Sequence, residues 1–189
     1  LKKKWLLAPM ATMILLAACG EDSTKEEATK ENAQTAVSSD KTDTEKAKKN
    51  NDDVYFKDNE AKLVDLKINI TKTKVIPVGE KGNEYGDKPV IAIWYNTTNL
   101  SDKDIDPTTA WSVVFTAIQD NNPNSINKIE VGSLPDDRFL DTQLETIKKN
   151  GTVENAIAYE LDDLKTPVTL VANQGIGGEE LGRQEYKVK

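Results

Sequence analysis

VDLKINIT, residues 64–71, settles the class of fold. Val64, Leu66, Ile68 and Ile70 alternate with Asp65, Lys67, Asn69 and Thr71. A period of two sends alternate side chains to opposite faces, so this is a half-buried strand. Residues 74–78 extend it as far as Pro77. A turn-rich stretch follows, with Gly79, Gly82, Asn83, Gly86, Asp87 and Pro89. Next, VIAIWYNTT (90–98) is β-branched and aromatic. It sets Ile91, Ile93 and Tyr95 on one face and Ala92 and Trp94 on the other.

Further along, NLSDKDIDP (99–107) reads as a polar loop ending at Pro107. AWSVVFTAIQD (110–120) reads as a strong strand, with Trp111, Val113, Phe115 and Ala117 pointing one way. INKIEVGSL (126–134) is a weaker strand. Residues 139–150 are ambiguous: Leu140, Leu144 and Ile147 have helical spacing and Gly151 is placed to end a helix, yet an extended loop fits equally. Val153, Ile157, Tyr159 and Leu161, then PVTLVAN (167–173), then Arg183–Val188 complete the series. Seven or eight strands separated by turns predict an all-β sandwich or barrel over residues 52–189, long enough for one core without disulfides.

Composition narrows the function. The chain has 189 residues, a formal charge of −7 and no histidine. An acidic chain lacks the clustered cations that neutralise phosphates, so nucleic acid is not expected as a partner. Without histidine there is no imidazole base or metal ligand. One cysteine permits no internal disulfide and no thiolate zinc cluster. No cofactor is implied.

That cysteine stands on a border. Lys2, Lys3 and Lys4 precede a mostly apolar run from Trp5 to Ala18. As a helix the run would reach roughly 21 Å, short of the ~30 Å hydrocarbon core. Residues 1–18 therefore read as a cleaved secretory signal peptide. Leu16-Ala17-Ala18-Cys19 resembles the lipobox of bacterial lipoproteins. The resemblance implies cleavage between Ala18 and Cys19 and a diacylglycerol on the Cys19 sulfur, with the membrane as partner through that lipid. Two acyl chains give firm anchorage where one is marginal. Loss of residues 1–18 removes Lys2, Lys3 and Lys4 and leaves a formal charge of −10.

After Cys19, residues 20–51 contain Val37 as their only large apolar side chain. Burial there cannot offset the entropy of ordering, so residues 19–51 are expected to be a disordered tether. As a coil it spans roughly 30 Å.

A lipobox and charged tether, then VIAIWYNTTNLSDKDIDP, FTAIQD and IKKNGTVENAIAYELDD with TPVTLVA, form a pattern. It resembles the telokin-like, immunoglobulin-like domain of unknown function carried by many Gram-positive lipoproteins (the DUF5067 type). The likeness covers residues 54–173. It departs from the usual Lys-Pro-Gly turn at Lys149-Asn150-Gly151. It implies an immunoglobulin-like β-sandwich on the extracellular face of the cell membrane, and it carries over no catalytic residue.

Several local patterns invite chemistry. Asp102, Asp104 and Asp106 have the spacing of an oxygen-rich calcium loop, but Pro107 and Val113 stand where an EF-hand needs Gly and Glu; a solvated acidic loop is the expected reading. Ser38 and Lys41 fit S-x-x-K without the companion elements of penicillin-recognising enzymes. GIGGEELG (175–182) lacks the third glycine of a dinucleotide fingerprint and reads as a hairpin connection. Trp94 and Trp111 are assigned to core packing. The expected role is a non-catalytic binding or interaction module of the cell envelope, with a protein or cell-wall partner. The alternatives are a passive envelope component or surface antigen and, last, a carboxylate-dependent wall hydrolase.

Overall fold

The computed structural model describes residues 54–189. The signal peptide, Leu16, Ala17, Ala18, Cys19, the tether and the Ser38–Lys41 pattern lie outside the described residues. The chain from Val54 on is an all-β sandwich of eight strands in two antiparallel sheets. They are β1 (Tyr55–Lys57), β2 (Glu60–Lys62), β3 (Leu66–Ile76), β4 (Val90–Asn99), β5 (Phe115–Gln119), β6 (Thr152–Glu160), β7 (Val168–Asn173) and β8 (Glu180–Tyr186). The larger sheet runs β1-β2-β3-β4-β6 and the smaller β5-β7-β8.

The core lies between the sheets. Ile68, Ile70, Ile91, Ile93, Tyr95 and Tyr159 from the larger sheet meet Phe115, Ala117, Val168, Leu170, Ala172 and Tyr186 from the smaller. The expected faces of β4 hold, since Ile91, Ile93 and Tyr95 enter this core. Ala92 joins Ile76, Val90 and Ala158 in a small cluster on the outer face, with Trp94 half-buried beside it. Trp111 fills the centre of the main core and is fully buried. Its ring packs 4.3 Å from Tyr95 and 4.4 Å from Phe115, centroid to centroid.

Residues 110–120 are not one strand. Pro107–Val114 form a helix, α1, and only from Phe115 does the chain become extended. The cause lies at the start: Asp106 Oδ1 accepts from Thr109 N at 2.8 Å, and Pro107 supplies a φ suited to the first turn. Trp111 and Phe115 are four apart, a spacing that shares one face in a helical turn as well as in a strand. Asp106→Ala should destabilise the domain by about 1 kcal/mol. Urea unfolding followed by circular dichroism checks it, and Asp106→Asn should keep most of the loss from occurring.

Residues 126–134 do not form a continuous strand either. The segment divides its bonds between both sheets. Ile129 N donates to Ala117 O and Gln119 N donates to Asn127 O on the β5 side. Gly132 N then donates to Ala158 O, and Glu160 N to Glu130 O, on the β6 side. It is a strap joining the two sheet margins. On the opposite margin β1 meets β8: Gln184 and Tyr186 hydrogen-bond Asn59 Oδ1, and a Cβ at Gly182 would lie 2.5 Å from Phe56 O. Only glycine permits that approach, at φ +154°.

Of the two alternatives at residues 139–150, the loop holds, with only Phe139 in a helical turn. A 3-10 turn at Asp137–Phe139 leads into turns, with Leu140 and Leu144 exposed and Ile147 buried. Val64 precedes β3 and is exposed. The hairpin β1–β2, absent from the sequence reading, reverses at Asp58 and Asn59, both with positive φ.

Candidate functional site

β3 carries an irregularity that builds the site. Ile68 pairs with Thr97 and Ile70 with Tyr95, all on the core side. The register then shifts between Ile70 and Lys72, so that Lys72 pairs with Trp94 and Lys74 with Ala92. A bulge of one residue reverses which positions face the core. Continued alternation from Ile70 would have driven Lys72 and Lys74 inward. The bulge at Thr71 instead sets both beside Trp94 on the outer face, while Val75 turns toward the core.

Trp94 is fixed there from two sides. Its Nε1–H donates to Asp136 Oδ2 at 2.8 Å, and Lys72 Nζ sits 4.7 Å from the ring centroid, within cation–π range. Asp136 in turn receives Arg138 Nη2 at 2.7 Å and Arg138 N at 3.2 Å, so it organises the 3-10 turn and holds the guanidinium in place. Arg138 first, and the Trp94 indole N–H after it, hold the Asp136 carboxyl well below the usual carboxylate range.

These groups border a groove of about 350 Å3 on the outer face of the larger sheet, lined by Lys72, Lys74, Lys81, Trp94, Asp136 and Arg138, with Asp137 on its rim. Four cations face two carboxylates in a chain whose net charge is −7. Arg138 is satisfied by Asp136, whereas Lys72, Lys74 and Lys81 have no carboxylate partner among the described residues. A neighbouring concavity of about 370 Å3 beside Thr73 and Glu185 shares Lys72 with this groove, and two more lie apart from it, one of about 450 Å3 beside Leu63, Val64 and Val113 and one of about 390 Å3 beside Ile118, Ile126 and Arg183. Neither of the latter two combines a fixed aromatic plate with uncompensated charge.

The other sequence candidates are dispersed. Asp102 Oδ2 is 2.7 Å from Lys149 Nζ, and Asp106 caps α1, so those two are drawn to different partners. No group of three His, Cys, Asp or Glu is placed to hold a metal among the described residues. Residues 175–179 reverse the chain between β7 and β8, with Gly175 and Gly177 at positive φ, and β8 begins at Glu180. Trp111 is core, as expected. Trp94 is a correction: it lies outside the main core, half-buried on the outer face, because its indole N–H is satisfied by a surface carboxylate.

The sequence reading missed Lys72, Lys74, Lys81, Asp136 and Arg138. One signal was present: the apolar phase in LKINITKTKVI switches from Ile70 to Val75, an odd interval that a regular strand cannot serve.

Comparison with known proteins gives fold neighbours and a family. A candidate lipoprotein from Staphylococcus aureus subsp. aureus NCTC 8325 has a similar structure, with a TM-score of 0.60 and 20% identity. The match covers 72% of this chain and 92% of that one. A protein from Enterococcus faecalis solved by NMR matches with a TM-score of 0.53 and 18% identity, over 71% of this chain and 93% of that one. At such identities the likeness is one of fold. No curated protein matches the chain. The pattern of a family described as a domain of unknown function, DUF5067, matches residues 40–174. That span is well over half of the sequence, and the chain belongs to the DUF5067 family.

Proposed function

We propose that this protein is a lipid-anchored module of the cell envelope that binds its partner without catalysis, through the groove at Trp94. The lipid is carried on Cys19 after cleavage behind Ala18, in the lipobox-like run Leu16-Ala17-Ala18-Cys19. Residues 19–51 act as the spacer, and the immunoglobulin-like sandwich stands on the extracellular side of the membrane. The fold likeness to a candidate lipoprotein supports this placement.

The observation that carries the binding role is the fixed Trp94 plate among lysines without carboxylate partners. The carboxylates bear on one catalytic role only, that of a general acid. Every carboxylate with a resolved shift among the described residues is shifted downward: Glu60, Asp136, Asp162, Asp163 and Glu180. Such groups stay ionised at neutral pH, whereas a general acid needs a raised pKa. Position matters too. Tyr55, which follows the first described residue, lies level with Lys67 and Thr98 through successive strand pairs. Lys74 and Ala92 lie six to seven residues further along those strands, roughly 20 Å away. The groove thus sits toward the end of the sandwich away from Val54, the first described residue.

Two measurements test this. Intact mass of native protein should show Cys19 as the first residue, carrying a diacylglycerol; an unmodified thiol removes the anchor from the proposal. Pull-down from washed envelope extracts with the native protein should give saturable capture. Absence of any saturable partner would favour the passive envelope component.

A further inference from the structure

We propose that the Trp94 groove is a binding site for an acidic glycan, a chain of sugars bearing repeated anionic groups. This rests on the reading of the groove as the binding face and deepens it by naming the ligand's chemistry.

The charge pattern requires an anion. Lys72, Lys74 and Lys81 converge on one groove without carboxylate partners, in a chain that is acidic as a whole. Repulsion between these ammonium groups is relieved by a ligand that brings negative charge. Their arrangement favours several linked anionic groups over one. Lys72 and Lys74 are second neighbours on the same face of β3, with Cα atoms roughly 7 Å apart. Acidic groups on successive sugars can meet two such lysines in turn.

The rest of the surface favours sugar over lipid or nucleic acid. Trp94 offers a flat apolar ring, held by its bond to Asp136, on which the C–H face of a pyranose packs once Lys72, which lies over the ring, swings aside to meet an anionic group of the glycan. Beyond it along β4, Asn96 and Thr98 continue on the same outer face, a polar strip of about 13 Å from Trp94 to Thr98. Amide and hydroxyl groups there match sugar hydroxyls, and Asp137, which forms no ion pair among the described residues, adds an acceptor at the rim. Glu154 stands opposite Asn96, with its charge acting on Arg138. Carboxylates this close to the cations work against the denser negative charge of a nucleic acid strand or a lipid surface.

The test is calorimetric titration of the full native chain in neutral detergent. Polygalacturonate is the acidic glycan, dextran the neutral one, glycerol phosphate the isolated lipid headgroup, and a single-stranded oligonucleotide the competing polyanion. Polygalacturonate should bind at least 10-fold more tightly than the other three. The Lys72→Gln/Lys74→Gln double variant changes only exposed side chains and should weaken it at least 10-fold. That variant should also flatten the dependence of affinity on salt. Trp94→Phe should weaken binding while leaving the salt dependence intact, which separates the ring's contribution from charge. Equal binding of dextran, glycerol phosphate or the oligonucleotide would overturn the proposal. So would no binding of polygalacturonate, or an unchanged affinity in the double variant. If that variant still captures a saturable partner from envelope extracts while polygalacturonate fails, the binding role stands and only the glycan assignment is lost.

Discussion

Trp111→Ala should lower the stability of the sandwich by about 4 kcal/mol, the largest loss expected from any one substitution in the core. Two effects combine in it. The fully buried indole fills the space between Tyr95 and Phe115, so its removal leaves a cavity that the two sheets cannot close. Its Nε1–H donates to Tyr159 Oη at 2.8 Å, and alanine leaves that buried hydroxyl without its donor. Burial pushes the Tyr159 hydroxyl up to about 12, a sign of how poorly this place solvates a polar group left without its partner. Urea unfolding checks the value. A loss below about 1.5 kcal/mol would mean that the surroundings collapse around the cavity, contrary to the packing described. Tyr159→Phe separates the hydrogen bond from the volume and should cost about 1–3 kcal/mol, since it strands the indole N–H.

Gln119→Leu comes next, at about 3 kcal/mol. Gln119 is fully buried at the end of β5, yet it is polar for a clear reason. Its Nε2 donates to Asp163 O at 2.8 Å and Thr166 O at 2.9 Å, and its Oε1 accepts from Asp162 N at 2.8 Å. One side chain thus stands in for the backbone ladder that the β6–β7 connection lacks. Leucine has nearly the same volume but leaves these groups unpaired in a buried place. The connection also braces itself: Asp163 Oδ1 accepts from Lys165 N and Thr166 N, both at 2.7 Å. Amide hydrogen exchange resolves the two sources. In Gln119→Leu the Asp162 amide should lose protection, while the Thr166 amide, held by Asp163, should keep more of its own. If both the stability and the Asp162 protection are unchanged, the bridging role is wrong.

The sheets were legible in the sequence wherever alternation and face coincide. LKINI and VIAIWY carry their inward residues at every second position, and the paired strands bury those residues. Alternation misled at 110–120, because Trp111, Val113, Phe115 and Ala117 mimic a strand while Asp106-Pro107 dictates a helical start. Local capping won over pattern. At 126–134 the extended character was real, but the segment serves two sheets in turn, which pattern within one segment cannot reveal. The groove was hidden for a similar reason. Lys72, Trp94 and Arg138 are far apart in the chain, and their meeting depends on a one-residue bulge and on a turn shaped by Asp136.

The strap over residues 127–132 and the seam between β1 and β8 also bear on self-association. Backbone groups at a bare sheet margin act as a template for a neighbour's strand. Here one margin is laced by main-chain bonds and the other is sealed around Gly182. Neither margin therefore offers a bare row of backbone groups to a neighbour's strand, which guards the domain against edge-to-edge aggregation.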